Sequence, residues 1–339
     1  MVFSSSSVVG FTRFGDSYYF IKRQLLWFVV GVFLLAITTR IDYRRHIALA
    51  WPGATVTLAL LGAVLVIGQT LGGTKGWLNL GFLHLQPVEV AKLGTVLFFA
   101  GHFNAHRDEL ARFRGLVAPL AVLGSMLALI MLQPDFGSGL VLAGTGFLML
   151  LAAGARLGHL FGLASLGVPM AVALATMEPY RMERLLAFWN PWKDPQDTGY
   201  QIIQSLMAIG SGGLFGLGLG QSRQKFSYLP ENHTDFIFSI IGEELGLVGT
   251  VLVLTLLFVF AWRGYRAALL APDYYGSLLA VGITTMITLQ ALMNIGVISG
   301  VLPVTGITLP FISYGGSSLA ITLIGVGILL NISRGATRS

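Results

Sequence analysis

The chain has 339 residues, of which 55% are hydrophobic and only 11% charged, with a formal net charge of +6. Its mean hydropathy is +0.77, whereas soluble domains carry roughly 25% charged residues, so a packed aqueous domain is excluded and the chain reads as a membrane protein. Zero cysteines exclude disulfides and thiolate metal sites, and six scattered histidines form no ligand cluster at helical spacing. The bases are spread over short segments between apolar runs, which suits membrane topology better than nucleic acid.

In chain order, residues 1–9, MVFSSSSVV, look like the outer end of a helix whose apolar body is missing; no basic stretch precedes an apolar core, so a signal peptide is a poor alternative. Apolar stretches of spanning length, about 17–25 residues, then run at 25–40, 50–71, 88–103, 115–132, 138–154, 158–178, 235–262, 276–299 and 315–332. The third is interrupted at its start by Glu89 and Lys92, and the sixth is rich in glycine. No internal repeat or linker is visible. The expectation is one all-α, polytopic membrane domain over 1–339, with nine transmembrane helices and a large extracytoplasmic loop at 179–234.

Orientation follows from the bases in alternate loops. One set, with Arg40, Arg44, Arg45, Arg107, Arg112, Arg114, Arg156, Arg263, Arg266, Arg334 and Arg338, has a net charge of +7; the other has −1. The first set is expected to be cytoplasmic, which places 72–88, 133–138, 179–234 and 300–316 outside, together with nearly all the unusual polar residues.

In the loop 72–84, Lys75 and Trp77 stand among glycines; a tryptophan there is most often a headgroup anchor. In LQPVEVAK, Glu89 and Lys92 share a helix face at i,i+3. They form either a self-satisfying ion pair or a phosphate-binding lysine oriented by its glutamate. In the turn QPDFGS, Gln133 and Asp135 are candidate substrate contacts, with Asp135 equally readable as a helix cap. The glycines of GLFGLGLGQ fail the GxGxxG spacing and read as a flexible or membrane-dipping loop.

The most informative segment is PENHTDFIFSIIGEELGLVG, Pro230 to Gly249. It brings Asp235, Glu243 and Glu244 into an apolar run, where a carboxylate costs on the order of 2.5–3.5 kcal/mol and usually faces a polar cavity or a partner. Asp235, after His233 and Thr234, reads as a cap or a catalytic group. Last, LPFISYGGSS leads through Ser313, Gly315, Gly316 and Ser317 into a helix N-terminus that suits an anion or tight packing through small residues.

These motifs, with FWNPWKDPQDTGYQIIQSLMAIGSGG and MLQPDFGSG, resemble in order and over the whole chain the SEDS proteins, the RodA/FtsW/SpoVE family of cell-wall polymerases. The opening segment, WNPWKDP and QKFSYLPENHTDF are more similar to the division branch, FtsW and SpoVE. The family has ten spans, so the first is mostly absent here. The resemblance implies a bacterial cytoplasmic-membrane glycosyltransferase that polymerises lipid II at the outer face. The 4-hydroxyl of an acceptor sugar attacks C1 of a donor held on undecaprenyl diphosphate. Asp235 is then the candidate general base. Lys92 and other bases are candidates for the diphosphate, and Glu89, Lys75, Trp77, Gln133, Asp135, His233, Thr234, Glu244, Ser313, Gly315, Gly316 and Ser317 for substrate contact. No DxD motif is evident; a divalent cation, Mg2+ or Mn2+, at Asp235 stays open. Expected partners are a class B penicillin-binding protein and other divisome or elongasome membrane proteins, with no nucleic acid. A lipid II flippase and a non-catalytic scaffold are the competing readings.

Overall fold

The computed structural model describes all residues except 72, 73, 80, 82, 83, 111, 178, 225–228, 231, 232 and 337–339, and leaves undescribed the side chains of 71, 175, 177, 179–181 and 336. In chain order it contains α1 (Val2–Phe14), α2 (Tyr19–Arg40), α3 (Ala50–Ile67), β1 (Gln69–Leu71), β2 (Thr74–Asn79), β3 (His84–Leu85), α4 (Pro87–Ala105), α5 (Phe113–Met131) and α6 (Phe136–Ala152). There follow α7 (Leu157–Met177), α8 (Pro179–Trp189), α9 (Tyr200–Ser211), α10 (Ile237–Leu269), α11 (Tyr274–Ile298) and α12 (Gly316–Ala336).

Each of the nine expected spans coincides with a helix. Seven of the described helices are long and apolar enough to cross a membrane; of the other two, α6 is shorter at 17 residues and α4 carries the two charges near its start. Residues 2–9 lie in α1, which Gly15 ends in the left-handed conformation, φ 68°.

Two loops hold structure that the hydropathy pattern does not announce. In the glycine-rich loop β1, β2 and β3 form a small antiparallel sheet, with Thr70 opposite Lys75 and Leu78 opposite Leu85. Strands β1 and β3, of 3 and 2 residues, are too short for a period-2 alternation to be read, and TKGWLN in the 6-residue β2 does not alternate. The long segment 179–234 likewise contains α8 and α9.

The chain divides into two compact units. One comprises 28–168, 260–289 and 316–339. Its core gathers Phe98, Phe99, Phe103, Met126, Met149, Tyr275 and Ile283, all buried. Helix α4 lies inside it, and small residues admit its neighbours: a Cβ on Gly94 would come 2.6 Å from Thr57 Oγ1, and one on Gly101 2.6 Å from Ala50 Cβ. Close approach through small residues is how helices without a hydrophobic driving force gain packing contact. Burial on all sides explains how α4 tolerates two charges that lipid would reject.

The other unit comprises 1–27, 169–259 and 290–315, with a core of Phe236, Ile237, Ile240, Ile241, Ala291, Ile298 and Leu309. Within it α10 is broken at Gly246, φ 64° and ψ −159°. The backbone groups released there find new partners in the segment 213–218. Leu217 and Gly218 N–H donate to the carbonyls of Glu243 and Glu244, at 2.9 and 3.0 Å. Leu247 and Val248 N–H donate to the carbonyls of Gly213 and Leu214, at 2.9 and 3.1 Å. Non-helical backbone at membrane depth is tolerated only where protein satisfies it. Glycine is required for this interlock: methyl groups on Gly212 and Gly216 would land on the carbonyls of Gly242 and Glu244. The GLFGLGLG segment is therefore held by the broken helix rather than left as a flexible loop.

Candidate active site

Asp235 lies two residues before α10, half-buried, in a turn fixed from several sides through its backbone. Buried Asn294 of α11 donates through Nδ2 to the Asp235 carbonyl at 2.7 Å and to the Ile307 carbonyl at 2.6 Å. One helical turn earlier, Gln290 Nε2 donates to Thr308 O at 3.0 Å. The Ser313 hydroxyl donates to Thr234 O and accepts from Leu309 N–H at 2.8 Å. Tyr314 N–H donates to His233 O at 2.9 Å. Gln24 closes the far side, donating to Ser313 O at 3.1 Å and accepting from Gly315 N–H at 3.3 Å.

The His233 ring lies against Phe20 and Tyr314, with centroid distances of 4.6 and 5.7 Å. Burial pushes the Tyr314 hydroxyl above its ordinary value, against the lowering influence of Arg23, so it stays protonated at neutral pH. Gly306, φ 69°, passes beside the carboxylate: a Cβ there would stand 3.5 Å from Asp235 Oδ2. Thus His233, Thr234, Asp235, Ser313 and Gly315 are joined in one network, with a carboxylate that is accessible and whose main chain cannot wander. Such support is what a proton-accepting group needs.

Glu244 belongs to a different place in the same unit. Its Oε1 accepts from Ser4 Oγ at 2.6 Å and from Ser222 N–H at 3.3 Å, while Glu243 accepts from Ser222 Oγ and from Arg223 N–H at 2.9 Å. Both glutamates are buried and tie 222–223 to the helix break.

The other unit holds the remaining candidates. Lys92 Nζ lies 2.9 Å from Glu89 Oε1, with side chains 2% and 7% exposed, the ion-pair geometry that the spacing implies. Asp135 caps α6, accepting from Ser138 N–H at 3.0 Å, and stands within electrostatic reach of Lys92 and Glu89. Gln133 Nε2 donates to Leu61 O at 3.2 Å. Lys75 Nζ donates to Leu65 O at 2.6 Å in the last turn of α3, and Trp77 lies half-buried in β2 opposite Gln69. Gly316 opens α12, and the Ser317 hydroxyl accepts from Gln86 N–H at 3.3 Å. Among the described residues no three His, Cys, Asp or Glu converge as a metal site.

Sequence reasoning missed Gln290, Asn294 and Gly306. The signal was present: two amides at i,i+4 in an apolar run share a helix face, and in a membrane helix such a face must find partners.

Known proteins resemble this chain over nearly its whole length. A family profile described as "Cell cycle protein", for FtsW, RodA and SpoVE, matches residues 1–338. Stage V sporulation protein E of Bacillus subtilis is 47% identical over 98% of this chain and 92% of its own. The probable peptidoglycan glycosyltransferase FtsW of Geobacter metallireducens is 43% identical over 98% of this chain and 90% of its own. Among solved structures, a chain of a peptidoglycan synthase complex that coordinates polymerization and crosslinking is 34% identical, covers 100% of this chain and 97% of its own, and has a TM-score of 0.81. The rod shape determining protein RodA of Thermus thermophilus is 32% identical, covers 98% of this chain and 93% of its own, and has a TM-score of 0.71. With the match running over nearly the full length and, among the described residues, seven helices long and apolar enough to cross a membrane, the chain is an integral membrane protein and belongs to the FtsW/RodA/SpoVE family.

Proposed function

We infer that this chain is a peptidoglycan glycosyltransferase, the activity for which its FtsW relatives are named. In the reaction the acceptor's N-acetylglucosamine 4-hydroxyl loses its proton as it attacks C1 of the donor muramyl sugar. The C1–O bond to undecaprenyl diphosphate breaks with inversion, giving a β-1,4 link. A sugar hydroxyl needs a base in that transition state. Diphosphate is already a competent leaving group and calls for cations instead of the second carboxyl acid that glycosidases use.

Asp235 is the base in this reading. The observation that carries it is the contrast between an accessible carboxylate and a main chain pinned by Asn294 and, through Thr234, by Ser313. Lys92, oriented by Glu89, is the candidate cation for diphosphate. The loop charges favour an Asp235 outside the bacterial cytoplasmic membrane; on this reading single cysteines at 75, 192 and 224 should label from outside and those at 44 and 112 from inside. The partner is a class B penicillin-binding protein, a transpeptidase that would crosslink the new glycan.

The test is polymerisation of lipid II by purified protein with its partner in detergent, where flipping has no meaning. Glycan from the wild type and none from Asp235→Asn is the expected result; repeating the assay with a chelator reads whether Mg2+ or Mn2+ joins Asp235. Lipid II transport in vesicles by a wild type that makes no glycan would support the flippase instead.

A further inference from the structure

A cleft of about 360 Å³ opens between α8, the turn before α9, and the start of α9 itself. Its size lies within the range of ligand sites, about 300–1,000 Å³. Pro230 and Val304 complete its wall. Val304 stands two residues before Gly306, where an added Cβ would come 3.5 Å from Asp235 Oδ2, and Pro230 five residues before Asp235 itself. The cleft thus borders both segments that frame the candidate base, inside one unit.

Its lining selects among the parts of a lipid-linked saccharide. Diphosphate is disfavoured, because the described lining holds two carboxylates, Glu183 and Asp197, against one guanidinium, Arg184, which donates to Val304 O at 3.4 Å. A polyprenyl tail is disfavoured too, since Gln196, Gln201 and Tyr200 place amides and a phenol on the same surface. Carboxylates and amides bond neutral hydroxyl and acetamido groups in both directions, and an aromatic ring with a polar tip suits a ring ligand with one apolar face.

We propose that this cleft binds the acceptor's N-acetylglucosamine and delivers its 4-hydroxyl toward Asp235. The inference rests on the glycosyltransferase reading and adds the acceptor site to it. The experiment uses full-length protein in detergent and a soluble β-1,4 oligosaccharide of alternating N-acetylglucosamine and N-acetylmuramic acid. Saturable binding to the wild type is expected, weakened at least fivefold in Asp197→Asn and Gln201→Ala, with inorganic pyrophosphate failing to compete. In polymerisation the same variants should raise KM for lipid II at least fivefold and keep kcat within twofold. Glu183→Gln, on an exposed helix surface, replaces either variant that loses thermal stability. Wild-type binding and KM in all the stable variants, displacement by pyrophosphate, or no oligosaccharide binding by an active wild type would overturn the cleft and leave the function standing. A wild type that makes no glycan would overturn the function and this inference with it.

Discussion

Asp235 and the Glu89/Lys92 pair are built in opposite ways. The pair is buried, 2.9 Å apart, on a helix enclosed by its own unit, so each charge offsets much of the other's lost hydration, with Asp135 within electrostatic reach. Asp235 is half-exposed, and Asn294 and Ser313 hold it through its main chain and that of Thr234. Replacing a group of the first kind takes the ion-pair neighbour from a charge in a low-dielectric interior, whereas replacing one of the second kind leaves the fold intact and removes chemistry. Stability and activity should therefore separate between the two regions.

The largest loss of stability is expected at the pair. Lys92→Met removes the ammonium 2.9 Å from buried Glu89 and should cost about 3–5 kcal/mol, while Glu89→Gln with Lys92→Met should recover most of it. Thermal melting of the purified single and double variants checks this. If the stable double variant still makes no glycan, Lys92 has the diphosphate role as well; full activity in the double variant would confine it to the ion pair.

Next is the interlock of the broken helix. Gly246→Ala forces φ 64° on a residue with a Cβ and sets that atom 2.6 Å from Leu214 O. The backbone strain alone should cost about 1–3 kcal/mol. Gly124→Ala in α5, with nothing within 4 Å of the new carbon, should melt like the wild type. Equal melting of the two would mean that α10 does not depend on the insertion of 213–218.

Asn294→Ala removes two bonds from one buried amide and should lower stability by about 1–3 kcal/mol. It should reduce kcat more than KM, because the substrate contacts remain while the base wanders. A loss confined to KM would separate Asn294 from the placement of Asp235.

The smallest effect is expected at Arg44, whose Nε lies 2.8 Å from Asp273 Oδ2 with the arginine 54% exposed. Exposed pairs contribute less than about 1 kcal/mol, so Arg44→Ala should barely shift melting at neutral pH. Burial raises the Asp273 carboxyl, but Tyr43, Gly276 and Arg44 together hold it below its ordinary value. Its contribution is thus present above the unfolded carboxylate range and lost as pH falls through the lower folded value. The difference between wild type and Arg44→Ala should close in acid; a gap that widens in acid would contradict the pairing.

What could be read beforehand followed the strength of each physical signal. Each of the nine apolar runs overlaps a helix among the described residues because a span needs a long apolar stretch, which only the third run breaks, at Glu89 and Lys92. The break in α10 is silent because IIGEELGLVG still reads as an apolar run around its acids; φ at Gly246 depends on a segment about thirty residues earlier. The β-sheet is silent because its strands are short. At the site, Asp235 stood out because a carboxylate in an apolar setting is costly. Gln290, Asn294 and Gly306 did not, since neutral amides and glycine carry no comparable penalty, although they fix the main chain around it. Asp135 was readable in both of its roles, and the geometry shows the cap.

The most direct test of the account is a paired measurement on Asp235→Asn: glycan formed from lipid II with the partner transpeptidase, and the melting temperature of the same preparation. Asparagine keeps the shape and cannot take the proton, so the account predicts a melting temperature near that of the wild type and a rate lower by on the order of 10²–10⁴-fold. Wild-type-like polymer from that variant would contradict the base role, and a protein that fails to fold would reduce Asp235 to a structural residue of its turn.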